Sequence, residues 1–285
     1  MATLFVVATP IGNLSDMSPR AIEVLKQVQL IAAEDTRVTQ KLCNYFEIDT
    51  HLTSYHEHNE RSKASYLVEK MLTENIDIAI TTDAGTPCIS DPGSYIVKEA
   101  IKNNIPVLSI AGPSAMIAAI SVSGFVASEF GFVGFLPRNK KEIKEKLIDI
   151  AKRMPIAILH ESPHRVIQLM EIIAEVLPST KVSASCDLTK KHELTLHGNV
   201  NNVLEDMQNN PKTNKGEYCI VLEFNKQDLP IEVPKIEASL EAKLLDALLI
   251  SQDMKTAMAM LVSNGERKNA VYTASLKLKE LISKL

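Results

Sequence analysis

The chain has 285 residues, of which 45% are hydrophobic, and its formal net charge at pH 7 is −4. This length allows two domains of ordinary size, and the apolar content excludes a largely disordered chain. No stretch has the eighteen or more apolar residues that a membrane span needs, and the N-terminus lacks the basic region of a signal peptide, so we expect a cytoplasmic protein without a membrane partner. The four cysteines lie far apart without C-x-x-C spacing, which argues against a disulfide framework or a cysteine zinc site.

The first 125 residues contain three junctions of one type, in which a buried strand leads through a loop with Gly and Pro into a helix. At the first, we predict a strand at residues 3–9, a loop at 10–14 and a helix that begins with Ser18-Pro19 as N-cap and first residue. At the third, a buried strand at 106–110 precedes Gly112-Pro113-Ser114-Ala115. Because open α/β sheets bind ligands at the carboxyl ends of their strands, we expect the three loops to converge on a ligand cleft.

The middle junction, residues 76–93, is expected to form the floor of this cleft. Its isoleucine-rich start, 76–80, is typical of a strand that is buried on both faces. Gly85-Thr86-Pro87 then gives a bent backbone with few side chains, which a ligand can approach closely. Asp91-Pro92 is predicted to begin the next helix as N-cap and first residue. The alternative is an ordinary tight connection between a strand and a helix.

A short strand is predicted at residues 30–33, and it runs directly into Glu34-Asp35-Thr36-Arg37. This places three ionisable side chains at a strand end, where they can act on a ligand in the cleft. In the structural alternative, Asp35 or Thr36 caps the following helix and Arg37 pairs with Asp35.

The second half begins after a segment rich in phenylalanine and glycine, and we place a domain boundary near Pro137. Two strands at 192–197 and 218–224, without a long helix between them, suggest antiparallel pairing and a mixed sheet. The expected organisation is an α/β domain at 1–136, a second α/β domain at 137–226, a linker at 227–234 and a small helical appendage at 235–285, which has a turn at Asn264-Gly265.

Two basic stretches stand out in a chain whose pI near 6 otherwise argues against non-specific binding to nucleic acid. One contains Lys140, Lys141, Lys144 and Lys146, and the other contains Lys255, Arg267 and Lys268. They either contact a phosphate backbone or are solvated faces of helices.

The segment His160-Glu161-Ser162-Pro163-His164 matches the H-E-x-x-H signature of zinc metallopeptidases, in which both histidines lie on one face of a helix. Pro163 would break such a helix, and the apolar run before His160 makes that histidine the end of a strand. We therefore expect no metal site here, and we interpret Ser162-Pro163 as the N-cap and first residue of the next helix.

Six ordered blocks resemble a known family. They are V-V-A-T-P-I-G-N-L at 6–14, A-A-E-D-T-R at 32–37, D-A-G-T-P-C-I-S-D-P-G at 83–93, A-G-P-S-A at 111–115, G-F-L-P-R at 134–138 and E-S-P-H-R at 161–165. Together they resemble the ribosomal RNA methyltransferases of the tetrapyrrole-methylase-like class, which use S-adenosyl-L-methionine (SAM). The resemblance implies 2′-O-methylation of a cytidine in the decoding region of small-subunit (16S) ribosomal RNA, by a homodimer whose two α/β domains clasp SAM.

The matched blocks also imply which residues contact SAM. These are Pro10, Asp83, Ala84, Gly85, Thr86, Ile89, Ser114, Ala115, Glu161 and Leu188. For catalysis, our hypothesis is that Asp35, Arg37 and Lys190 accept the proton of the 2′-hydroxyl or hold the ribose. The chain departs from the family pattern at Cys186-Asp187, where Arg-Glu is usual, and at Ala111, where Pro is usual. The first change removes a cation beside the expected site.

Two other functions remain open at this point. A corrin or porphyrin methylase of the same class would fit the general pattern, although such enzymes tend to carry G-D-P where this chain has D-A-G-T-P. A sensor or scaffold that binds SAM without chemistry would also keep the loops.

Overall fold

The computed structural model describes residues 2–229 and 238–283. The chain divides into two compact units, residues 1–230 and 231–285. The first unit contains two five-stranded sheets, and the second contains helices. The linker expected at 227–234 extends into the part of the chain that lies outside the described residues.

The first sheet is wholly parallel, with strand order β3-β2-β4-β1-β5. Its elements are β1 (Leu4–Val7), α1 (Pro19–Gln27), β2 (Leu30–Ala33), α2 (Thr36–Tyr45), β3 (Leu52–Ser54), α3 (Glu60–Glu74), β4 (Ile78–Thr81), α4 (Ser94–Lys102), β5 (Val107–Ile110) and α5 (Ala115–Val122). Every residue of β2 and β4 is buried, as expected for strands covered by helices on both faces. The prediction of an α/β domain with parallel strands is confirmed.

The strand predicted to be buried at residues 106–110 differs from the others. It forms β5 at the edge of the sheet, and Leu108 is 44% exposed. The expectation that this strand is buried is therefore wrong in the single chain. An apolar strand sequence shows that a strand is covered somewhere, but it does not show whether the cover comes from the same chain.

The second sheet is mixed, with strand order β6-β7-β10-β8-β9, and only the β6–β7 pair is parallel. Its elements are β6 (Gly131–Phe135), α6 (Lys140–Arg153), β7 (Ile156–Glu161), α7 (Val166–Val176), β8 (Lys181–Cys186), β9 (Leu194–Asn199), α8 (Val200–Asn209) and β10 (Tyr218–Glu223). The mixed sheet was predicted, but the ten-residue helix α8 between β9 and β10 was not. Strand β6 also precedes the boundary expected near Pro137, although it pairs with β7 of the second sheet.

Two helices begin later in the chain than predicted. The sequence placed their starts at Asp91-Pro92 and Ser162-Pro163, whereas α4 begins at Ser94 and α7 at Val166. Helix α4 begins at Ser94, where the hydroxyl of Tyr55 accepts a hydrogen bond from the backbone N–H of Ile96 at 3.2 Å. A distant side chain therefore satisfies one free N–H group of this helix, and Gly93 rather than Asp91 is the N-cap. Helix α7 begins at Val166, after a turn in which the carbonyl of Ser162 accepts from the backbone of the next turn.

The second unit contains helices α9 (Leu240–Ser251), α10 (Met254–Ser263) and α11 (Lys268–Ser283). Its own small core includes Leu244, Ala257, Leu261 and Val271. The predicted turn at Asn264-Gly265 separates α10 from α11. Across the described ranges of both units, no helix combines the length and the apolar character that crossing a bilayer requires.

Candidate active site

A cleft of about 370 Å³ lies between the carboxyl end of the first sheet and one end of the second sheet. The loops after β1, β4 and β5 supply one wall, and the start of α5 continues it. Strands β6, β7 and β10 and the residue Leu188 supply the other wall. The order in the first sheet explains this position, because β1 lies between β4 and β5 and their three loops leave the sheet side by side.

Hydrogen bonds join the three predicted loops to one another. The backbone N–H of Thr9 donates to the carbonyl of Gly85 at 2.8 Å, and the N–H of Gly85 donates back to the carbonyl of Thr9 at 3.0 Å. The hydroxyl of Thr86 donates to the carbonyl of Pro113 at 3.2 Å. The predicted convergence of the loops is therefore confirmed.

Gly85 leaves open space at the centre of this wall. Its φ is +89°, a conformation that L side chains rarely adopt, and an added Cβ would meet only the side chain of Ile11, at 3.5 Å. The space that a Cβ would fill faces the cleft, since both residues line it. A ligand can thus approach the backbone here, as a nucleoside cofactor requires.

Eight of the ten residues predicted to contact SAM line this cleft. They are Ala84, Gly85, Thr86, Ile89, Ser114, Ala115, Glu161 and Leu188. Pro10 and Asp83 are not among the lining residues, although each is followed by a residue that is. Asp83 faces the end of β2, where its carboxylate accepts from the N–H of Asp35 at 3.1 Å and its own N–H donates to Glu34 at 3.1 Å. Burial, and then the charge of Glu34, raise the pKa of Asp83.

Glu161 places a buried carboxylate in the second wall, at the end of β7. Its Oε1 accepts from the N–H of Ser162 at 2.7 Å, and its Oε2 lies 3.1 Å from the guanidinium of Arg165. That ion pair lacks hydrogen-bond geometry, so Oε2 has no hydrogen-bond partner within the described chain. Arg165 itself donates to the carbonyl of Pro137 at 2.8 Å. A buried acceptor without a donor fits the polar groups of a nucleoside ligand.

Asp35 caps a helix and pairs with Arg37, which is the structural alternative given for these two residues in the sequence analysis. Asp35 is the N-cap of α2 and accepts from the backbone N–H of Arg37 at 2.8 Å. The Arg37 side chain donates to both carboxylate oxygens, at 3.0 and 2.6 Å. These bonds, the side-chain ones foremost, lower the pKa of Asp35 to about 2. Neither residue lines the cleft, and so weak a base is poorly suited to accept a proton.

Lys190 is not among the residues that line the cleft, and two carboxylates hold its side chain. Its Nζ is 2.9 Å from Asp187 and 3.0 Å from Glu217, and Glu217 lines the cleft. Burial by itself lowers the pKa of Lys190, but these hydrogen bonds outweigh it and raise the pKa above its ordinary value. The amine therefore stays protonated, which suits it to hold Glu217 rather than to take a proton. Asp187, one of the departures from the family pattern, is thus part of this ion-pair network.

Sequence reasoning missed two groups of lining residues. The first group lies on the side of the second sheet and consists of Phe132, Phe135 and His160. We call these three rings the aromatic wall. The phenylalanine-rich segment was visible as a change in composition, and His160 was noted only for the misleading H-E-x-x-H match. His160 does end a strand as predicted, being the penultimate residue of β7, and burial lowers its pKa.

The second missed group is Asp91, which also lines the cleft. Burial, followed by the charge of Glu34, raises the pKa of this carboxyl, while a hydrogen bond with Thr82 opposes the rise. The sequence assigned Asp91 to a helix cap, so its position in the cleft went unrecognised. Two aspartates at the same edge of the sheet, Asp35 and Asp91, thus have pKa values shifted in opposite directions.

Comparison with known proteins agrees with this geometry. Residues 3–204 match the family model of the tetrapyrrole (corrin/porphyrin) methylases. The ribosomal RNA small subunit methyltransferase I of Bacillus subtilis (strain 168) is 42% identical over 228 residues, which cover 80% of this chain and 77% of that protein. The protein of the same name from Escherichia coli O157:H7 is 38% identical over 280 residues, 96% of this chain and 94% of that protein.

The fold is shared with solved structures of much lower sequence identity. Uroporphyrin-III C-methyl transferase from Thermus thermophilus, solved in complex with S-adenyl homocysteine, superposes with a TM-score of 0.53 at 14% identity, over 78% of this chain and 97% of that one. The family match spans most of the chain, and the relatives are similar along most of their length. The chain therefore belongs to the tetrapyrrole (corrin/porphyrin) methylase family and, within it, to the methyltransferases named ribosomal RNA small subunit methyltransferase I.

Proposed function

We propose that this protein transfers a methyl group from SAM to the 2′-hydroxyl of a cytidine in the decoding region of small-subunit (16S) ribosomal RNA. The observation that carries the proposal is the cleft between the two sheets, around which eight of the predicted SAM contacts lie together. The names of relatives that align with nearly the whole chain support the RNA substrate. The S-adenyl homocysteine bound to a protein of the same fold supports SAM as the methyl donor.

The first wall of the cleft would hold the cofactor largely through its backbone. The open space above Gly85 admits a ligand, and Thr86, tied to the third loop, fixes the position of that backbone. Glu161 would supply the polar group of the opposite wall, since its Oε2 is ion-paired with Arg165 but has no hydrogen-bond partner within the described chain. When bound there, SAM supplies a methyl group on a positively charged sulfur. The protein then has to align the ribose oxygen with that carbon, and alignment alone accounts for a large part of a transfer rate.

Proton acceptance in this proposal falls to Asp91 rather than to Asp35. A general base works best with a pKa raised toward the working pH, and Asp91 is the lining aspartate whose pKa burial raises. Asp35 and Arg37 would instead hold the RNA at the rim, where the Arg37 side chain is 87% exposed. Lys190 would keep Glu217 in place through their ion pair.

The remaining expectations from the sequence also stay proposals. These are a homodimer, a cytoplasmic location, and α/β domains at 1–136 and 137–226. Exposed apolar side chains on consecutive elements support the dimer, since Leu108 on β5 is 44% exposed and Ile117 and Val122 on α5 are 48% and 46% exposed. The molar mass measured by light scattering tests it, and Leu108→Glu should lower that mass toward a single chain.

The function is tested by methyl transfer from radiolabelled SAM to three acceptors: small ribosomal subunits, free ribosomal RNA and a porphyrinogen. We expect transfer to the ribosomal acceptors, with the label on a ribose that becomes resistant to alkaline cleavage at the next phosphate. Transfer to the porphyrinogen alone would overturn the proposal in favour of a tetrapyrrole methylase. SAM binding without transfer to any acceptor would favour a sensor.

A further inference from the structure

We propose that the aromatic wall binds an unstacked base of single-stranded RNA, next to the ribose that is methylated, while Lys146 and Arg153 receive a neighbouring phosphate. The inference rests on the function proposed above and adds to it the surface that guides the RNA strand into the cleft. It is carried by the backbone of β6, by the exposure of Phe135, and by a second cavity that shares Phe132 and Phe135 with the cleft.

The backbone of β6 turns two phenylalanines to the same side of the sheet. In a regular strand, residues three apart point to opposite faces, as Phe132 and Phe135 would. The register with β7 shifts between Phe132 and Gly134, so Phe132 is opposite Ile158 and Phe135 is opposite His160. Ile158 and His160 are two apart in β7 and share a face. The bulge, in which Gly134 has a φ of +71°, therefore re-aims Phe135 toward the cleft, a use of bulges that is common near active sites.

The three rings form one surface that is open to a ligand. The ring centroid of His160 is 5.1 Å from that of Phe132, edge to face, and 5.8 Å from that of Phe135 at an interplanar angle of 35°. Phe135 is 63% exposed, so its ring is accessible to a ligand. Burial lowers the pKa of His160, so its ring is neutral near pH 7 and can stack without a charge. Single-stranded nucleic acid stacks on accessible aromatic rings, and Phe135 offers one with Phe132 and His160 half-buried beside it.

A second cavity continues from the aromatic wall on its other side. It has a volume of about 590 Å³, and Phe132 and Phe135 line both it and the cleft. Its rim carries Lys146 and Arg153 of α6, which share one carboxylate, that of Asp149. Two cations with one anion leave a net positive charge beside the rings. Stacking rings followed by positive charge is the arrangement that single-strand binding surfaces use for base and phosphate.

Two ligands could stack on the aromatic wall, an RNA base or the base of the cofactor, and the charge of the second cavity favours RNA. A base from the cofactor would explain rings that face the cleft, but SAM carries no phosphate for Lys146 and Arg153. An RNA strand places bases and phosphates at successive positions, so one ligand explains both cavities. The chain therefore favours RNA, and cofactor binding becomes an outcome of the test.

The test uses the full chain and a single-stranded oligoribonucleotide with one 5-iodocytidine, which forms a photo-cross-link to an aromatic ring that stacks on it. We expect the cross-link in the peptide that contains Phe135 or in the one that contains His160. Phe135→Leu should weaken RNA binding about fivefold or more, because one stacked base contributes on the order of 1 kcal/mol or more. Its affinity for SAM should not change. The matched control is Tyr45→Leu, since Tyr45 on α2 is 64% exposed and is not among the residues that line either cavity.

Each outcome decides the proposal. A cross-link elsewhere, together with equal RNA affinity of Phe135→Leu and the parent, would overturn it, and so would failure of the parent to bind the RNA. Loss of SAM affinity in Phe135→Leu with unchanged RNA affinity would assign the wall to the cofactor. If the cross-link forms at the wall but no ribosomal acceptor is methylated, the wall binds RNA as proposed and the proposed methyl transfer is what fails. Arg153→Gln adds an independent readout, since losing one phosphate contact should reduce the salt slope of log affinity by about 0.7.

Discussion

The two walls of the cleft are built from different chemistry. The wall from the first sheet is mostly loop backbone with small and aliphatic side chains, and it carries the carboxylate of Asp91. Hydrogen bonds between Thr9, Gly85 and the loop at Pro113 hold it together. The wall from the second sheet presents aromatic rings and the buried carboxylate of Glu161. A wall of backbone can select one ligand by shape and does not depend on any one charge. A wall of exposed rings tolerates different bases, which suits a surface over which a polymer must pass.

The largest effect is expected from a substitution at Gly85, in the first wall. Gly85→Val puts a β-branched side chain into the space above the loop and also strains its positive φ, so we expect SAM binding to be abolished. Calorimetric titration measures this. Gly124→Val is the matched control, because Gly124 also has a positive φ, +74°, and an added Cβ would meet nothing within 4 Å. Unchanged SAM affinity in a folded Gly85→Val protein would refute the placement of the pocket.

The next largest effect distinguishes the two aspartates. We expect Asp91→Asn to lower kcat by on the order of 100-fold or more, the usual contribution of a general base, with little change in SAM affinity. Asp35→Ala should keep most of kcat and instead raise KM for the RNA, because Asp35 orders Arg37, which we propose holds the RNA beside the cleft. Single-turnover methylation assays on both variants give the rates. An Asp91→Asn protein with the parental rate would exclude Asp91 as the base.

The pH profile sharpens the same distinction. The pKa of Asp91 is raised above the ordinary 3.8 of an aspartate, so the acid limb of kcat/KM should lie above that value and should disappear in Asp91→Asn. Asp35 has a pKa of about 2, so it stays ionised across the range in which the enzyme can be assayed and contributes no limb there. A profile whose acid limb is the same in Asp91→Asn and the parent would contradict this assignment.

Most of the first wall could be predicted from the sequence, whereas the aromatic part of the second wall could not, for a physical reason. Gly, Pro and cap residues act on their own backbone, so loops such as Gly85-Thr86-Pro87 reveal themselves locally. Helix α1 is likewise announced by its local sequence: Ser18 is its N-cap as predicted, and the Ser18 hydroxyl accepts from the N–H of Ala21 at 3.1 Å. The aromatic wall depends instead on pairing between β6 and β7 across 26 residues of chain, from Phe132 to Ile158. No local pattern reports which face a bulged strand presents.

The helix start predicted at Asp91-Pro92 was also wrong, and a long-range contact lies at the start that the structure has. A capping pair is one of several ways to satisfy the free N–H groups of a helix, and at α4 the hydroxyl of Tyr55, from another part of the chain, accepts from one of them. Asp91 instead lines the cleft. The mistaken helix cap and the missed carboxylate thus concern one residue, Asp91, and its local sequence reports neither the position of Tyr55 nor that of the cleft.

The smallest effect we predict concerns the basic stretches. A variant that lacks four of these cations should bind the small subunit more weakly and keep its affinity for SAM. It combines Lys141→Ala, Lys144→Ala, Arg267→Ala and Lys268→Ala. Four free phosphate contacts would each lower the salt slope by about 0.7 to 0.9. We expect a smaller total, because Lys141 lies 3.9 Å from Glu145 and Lys144 is ion-paired with Glu175, so these acids already neutralise part of the charge.

Glu145→Gln with Glu175→Gln provides the opposite change on the same surface. It removes the two acids, so it should strengthen binding at low salt and steepen the salt slope, provided that α6 faces the RNA. Filter binding of labelled subunits between low and physiological salt measures both slopes. If neither set of substitutions changes the affinity or the slope, the lysines of α6 are a solvated helix face. The positive charge that meets the RNA would then be limited to the rim beside the aromatic wall, where Lys146 and Arg153 share a single carboxylate.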